Sequence, residues 1–148
     1  MSRLNKLPKS AMTHEQSALY DEIVSGRRAV SFAGKLMDDE AMLTGPFDVM
    51  LRNPGWGKHL SRLGECLRFE SSLSQVQIEL LILLVSAEWQ CEYEWYFHAP
   101  LAEKVGLERS LIEEIRLSKK ISSGSPALLA LYNLFDEIRK YKRVSDQT

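Results

Sequence analysis

The sequence predicts an all-α fold. Three observations carry that prediction: two capping boxes that open helices, apolar residues recurring at helical spacing, and no stretch that alternates convincingly at period two. The chain has 148 residues, 45% of them hydrophobic and 26% charged. That length and balance fit one globular domain with a real core, taken here as residues 1–148.

The elements follow in order. Thr13 and Gln16 form a capping box for a helix to Ser25, with Gly26 as its stop. Residues 1–12 ahead of it are expected to be flexible. From Arg27 to Gly45 the apolar residues are too scattered to fix a period. Pro46 opens a short helix to Leu51, broken by Asn53-Pro54-Gly55. Trp56, Leu60, Leu63 and Leu67 fall at helical spacing and define the next helix, to about Glu70. Ser74 and Gln77 make a second capping box before VQIELLILLVSAEW, a segment apolar nearly all round. Such a helix belongs at the centre of a fold or in a subunit interface. Another helix is expected from near Cys91 to Gly106, with Pro100 as its kink. A short helix follows at Arg109–Leu117, then a polar loop from Lys119 to Gly124. Ser125-Pro126 caps a last amphipathic helix carrying Leu128, Leu131, Leu134, Phe135 and Ile138.

Composition excludes several functions. Nineteen basic residues against twenty acidic give a net charge of −1, without the basic footprint of a nucleic-acid binder. The longest apolar run, Leu80 to Val85, is far short of the roughly 18–20 residues of a membrane span. The start, MSRLNKLPKSAMTHEQ, lacks an apolar h-region, so a secretory signal is not expected. Cys66 and Cys91 have no CxxC or Cys/His spacing of a zinc site. In the expected cytoplasmic setting both thiols stay reduced, although the sequence alone leaves a Cys66–Cys91 disulfide open.

Functional groups are densest in EWQCEYEWYFH, residues 88–98. On a helix Cys91, Glu94 and His98 stand at i, i+3 and i+7, on one face. A thiol, a carboxylate and an imidazole so placed can share a pocket and exchange protons. The plainer alternative is a small core cysteine and a satisfied polar histidine. Glu79 is the second anomaly, a carboxylate in the most apolar helix of the chain. Either its side of the helix reaches solvent, or it lines a pocket suited to acid/base work. The aromatic run of Trp89, Tyr93, Trp95, Tyr96 and Phe97 reads mainly as core or interface.

Taken together, Glu79, eleven residues, Cys91, two residues, Glu94, three residues and His98 resemble the motif of the carboxymuconolactone decarboxylase / alkylhydroperoxidase D-like family. That motif reads Glu-x11-Cys-x2-Cys-x3-His. Upstream, RNPGWGKHLSRLGECLRFESSLS is similar to the family's preceding helix and turn, and the resemblance covers about residues 41–135. Glu94 stands where the redox members carry their second cysteine, so the resemblance implies a decarboxylase-type enzyme rather than a dithiol peroxidase. It further implies a lyase that works without metal or organic cofactor on a small carboxylated lactone, in a homo-oligomeric trimer or hexamer. Glu79 and His98 are then the acid/base pair, Glu94 tunes His98, and Cys91 donates a hydrogen bond or proton. Arg52, Lys58 and His59 are the candidate cations for the substrate's carboxylates, reaching in from a neighbouring subunit if need be; the plainer alternative for each is an ordinary solvated side chain. Two alternatives remain: a peroxiredoxin-like thiol peroxidase using Cys91 through a sulfenic acid, and a non-catalytic binding or scaffold protein.

Overall fold

Eight α-helices, one 3₁₀ turn and an isolated bridge between Met37 and Leu43 make up the regular structure of the described residues, which form no strand. The computed structural model describes residues 4–32 and 35–146. Residues 1–3 of the stretch expected to be flexible, and residues 33–34 of the unassigned segment, lie outside the described residues. The chain divides into two compact units, Met1–Ser71 and Ser72–Thr148.

In the first unit a 3₁₀ turn at Lys9–Ala11 precedes α1 (His14–Ser25), α2 (Arg27–Ser31), α3 (Gly45–Arg52) and α4 (Pro54–Phe69). The Thr13–Gln16 capping box closes in both directions at the head of α1. Gly26 stops α1 in an extended conformation and serves at once as the N-cap of α2. The segment whose periodicity was indecisive thus begins with a five-residue helix, too short to show a period. Proline opens both α3 and α4, where its missing N–H costs no hydrogen bond.

The face of α4 turned inward is not its apolar one. Gly57, Ser61 and Arg68 are buried, whereas Trp56, Leu60, Leu63 and Leu67 are 43–61% exposed. The cause is a close crossing with α3. A Cβ on Gly57 would sit 2.2 Å from the Met50 carbonyl oxygen, so only glycine admits that approach. Arg68 then lies over the rings of Phe32 and Phe69.

The second unit contains α5 (Gln75–Glu88), α6 (Glu92–Lys104), α7 (Arg109–Arg116) and α8 (Pro126–Tyr141). Helix α5 is central, packing against α6, α7 and α8, as an all-round apolar helix must. Leu80 and Leu83 are fully buried in a core shared with Trp95, Ala102, Leu111, Ile115 and Tyr132. Each buried leucine of this kind contributes about 1.5–3 kcal/mol. The Ser74–Gln77 box caps α5, and the Ser125 side chain accepts from the Leu128 N–H at the head of α8. Ile121, in the loop before α8, is drawn into the core. Helix α6 continues through Pro100.

Three turns of this unit share one design. After α5 the Cys91 N–H donates to the Ser86 carbonyl and the Gln90 N–H to the Ala87 carbonyl, the two bonds of a Schellman motif. The same pair of bonds ends α6 around Gly106 and α7 around Ser118. The motif needs a left-handed residue at its pivot, and φ is 103° at Gly106, 53° at Ser118 and 50° at Gln90. Only the first of these is a glycine.

Candidate active site

Glu79 sits in the second turn of α5, flanked by buried Ile78 and Leu80, and is itself fully buried. A carboxylate in such surroundings costs several kcal/mol unless it is paired and hydrogen-bonded. The partner is on α6: Nδ1 of His98 lies 2.7 Å from Oε2 of Glu79. One further turn holds the ring's other edge. Nε2 of His98 is 3.4 Å from Oε2 of Glu94, four residues earlier on α6. His98 is nearly as buried as Glu79, whereas the Glu94 side chain is 39% exposed. The three groups form a line from the interior of the unit toward its surface: carboxylate, imidazole, carboxylate.

The geometry sets what each atom can do. With a carboxylate oxygen at Nδ1, that nitrogen is held as the donor, and Nε2 becomes the position at which a proton is taken up or released. Glu94 beside Nε2 can pass that proton to or from the outside.

Cys91 takes a different place. It is the N-cap of α6, its N–H fixed by the Schellman bond to Ser86, and its thiol makes no hydrogen bond among the described residues. It opens into a cleft of about 280 Å³ whose lining includes Ser86, Gln90, Glu92, Trp95 and Arg116. Of the four predicted catalytic residues, Glu79, Glu94 and His98 meet in one chain of contacts, and Cys91 lines this cleft. Both cysteines are free thiols. Cys66 in the first unit donates toward Glu70, whose carboxylate holds that thiol above its ordinary range.

The predicted substrate cations all belong to the first unit. Arg52 is engaged by both oxygens of Asp48 and by the Asn5 carbonyl; Lys58 and His59 are exposed on α4. The structure adds Arg116, which sequence reasoning missed. It ends a short amphipathic helix with no motif around it, and only the fold brings it to Trp95 and Cys91. The aromatic run divides. Trp95 joins the core, Tyr93 and Phe97 pack at 4.7 Å, and Trp89 and Tyr96 stand exposed. No helix among the described residues is long and apolar enough to cross a membrane.

A buried glutamate–histidine pair thus joins two adjacent helices of an all-helical chain. The sequence model of the carboxymuconolactone decarboxylase family matches residues 54–137, from the first residue of α4 into α8. The chain belongs to that family. No curated protein and no solved structure matched the chain.

Proposed function

We propose that the protein is a cofactor-independent decarboxylase-type lyase acting on a small carboxylated lactone or related molecule, with His98 as its proton-transfer group. The observation that supports this reading is the 2.7 Å contact between His98 Nδ1 and the fully buried Glu79. Decarboxylation breaks the bond from carbon to the leaving carboxylate. Its electron pair passes into the adjoining unsaturated carbonyl system as CO₂ departs. The reaction closes when that carbon receives a proton. Nε2 of His98 delivers it, Glu79 steadies the ring while it is charged, and Glu94 restores the proton from the surface side. The test is CO₂ release from a panel of carboxylated lactones and unsaturated oxo-acids, lost in His98→Ala.

One observation favours a second reading. The Cys91 thiol is free and faces a cleft, as a one-cysteine peroxidase would need. In that chemistry the thiolate takes one oxygen from a peroxide, and an external thiol reduces the sulfenic acid. Either activity belongs, in this proposal, to a cytoplasmic homo-oligomer, a trimer or hexamer, with exposed Trp89 and Tyr96 offering contact surface. A monomeric mass by sedimentation at micromolar concentration would contradict the oligomer.

A further inference from the structure

The cleft beside Cys91 carries a cation without a counter-ion. Arg27, Arg52, Arg62 and Arg139 are each held by a carboxylate. Arg116 makes no ion pair among the described residues; its guanidinium lies 5.4 Å from the ring centroid of Trp95. Trp95 is a buried member of the core, so the surface under the guanidinium is fixed. A guanidinium set over an aromatic ring still has N–H donors to offer a planar, two-oxygen acceptor. Gln90 adds an amide donor on the lining, on a backbone locked by the Schellman bonds. Glu92 is the carboxylate of the lining, and it forms no ion pair with Arg116. At about 280 Å³ the cleft falls just below the range of ligand pockets, roughly 300–1,000 Å³, which suits only a small acid.

We infer that this cleft is a carboxylate subsite: Arg116 receives the carboxylate of a small organic acid, whose remaining atoms lie against Cys91. As the seat of a substrate group this rests on the decarboxylase reading; as a carboxylate site it does not. The chemistry decides which carboxylate of a diacid belongs there. An ion pair stabilises the charged ground state, so a carboxylate about to leave as CO₂ is held back by one. Arg116 therefore suits the carboxylate that stays. Trp95, on which Arg116 rests, is three residues before His98, about 4.5 Å along a helix axis.

The two cysteines make the test internal to one protein. Alkylation of the intact chain by iodoacetate and by iodoacetamide is followed separately at Cys91 and Cys66 by peptide mass spectrometry. Both reagents attack the same thiolate, so the ratio of their rates cancels the thiol's ionisation and reports whether the surroundings favour an anion. The ratio at Cys91 should exceed that at Cys66, which sits beside Glu70, by about threefold or more. Arg116→Gln should lower it to the Cys66 value and leave Cys66 unchanged, while Arg116→Lys keeps part of it. Millimolar succinate should slow iodoacetamide at Cys91 only, and succinamide should not. Should Arg116→Gln not fold by circular dichroism, Arg116→Lys and succinate protection of the wild type decide. Equal ratios at the two cysteines, an unchanged ratio in folded Arg116→Gln, or no protection by succinate would overturn the inference. None of these readouts depends on Glu79 or His98, so the relay can fail with the subsite intact, and the reverse.

Discussion

Nδ1 of His98 lies 2.7 Å from Oε2 of Glu79, joining the two most buried ionisable side chains of α5 and α6. The bond fixes the ring's orientation as well as its chemistry, because the opposite nitrogen is thereby turned toward Glu94. Long-range proton–nitrogen correlation spectra should show Nδ1 of His98 protonated in the wild type. A bare Nδ1 with the proton on Nε2 would contradict the assigned roles. In Glu79→Leu the Nδ1–H loses its acceptor inside the core, and chemical denaturation should register a loss of about 1–3 kcal/mol.

The turn between α5 and α6 holds Gln90 at φ 50°. A left-handed conformation costs a residue with a Cβ about 1–2 kcal/mol, and glycine adopts it freely. Gln90→Gly should therefore stabilise the protein, by about 1 kcal/mol once glycine's larger unfolded-state entropy is deducted. A rise in the denaturation midpoint is the expected outcome, and a fall would mean that the Gln90 side chain contributes more than the strain costs.

Much of this architecture is legible from sequence because it is local. Both capping boxes and the proline-led starts of α3 and α8 depend on residues within one turn of each other and all are present, whereas Pro54, expected within a break, is the first residue of α4. The inward face of α4 was not legible. Its apolar stripe from Trp56 to Leu67 gives the helical period, but the side that packs is chosen by the close approach of Gly57 to Met50, a tertiary fact. At the site, spacing pairs Glu94 with His98 and marks Glu79 as anomalous. That Glu79 meets His98 follows from how α5 and α6 pack, and the family resemblance supplied it where periodicity left two readings open. Arg116 carries no local signal at all.

Gly57 and Gly64 provide a contrast within α4. A Cβ at Gly57 meets the Met50 backbone, whereas at Gly64 it meets only the tip of the Arg28 side chain at 2.8 Å. Gly57→Ala should destabilise by about 1–3 kcal/mol or more, as overpacking against an immovable neighbour does. Gly64→Ala should cost clearly less, since the guanidinium can swing away and alanine favours the helix by up to about 1 kcal/mol. Urea denaturation of the two variants in parallel checks the order.

The central claim is that the chemistry belongs to Glu79 and His98, with Cys91 in a supporting place. Its most direct test measures CO₂ release from the carboxylated-lactone panel and peroxide turnover with a dithiol reductant, in parallel, on wild type, Glu79→Gln, His98→Ala and Cys91→Ser. Decarboxylation should fall about 10²–10⁴-fold in Glu79→Gln and His98→Ala if a proton passes through them. Cys91→Ser should keep much of it, because a hydroxyl retains the hydrogen bond that a thiol offers. Peroxide turnover that vanishes in Cys91→Ser, while Glu79→Gln and His98→Ala stay near wild type, would contradict the account and make this a one-cysteine peroxidase.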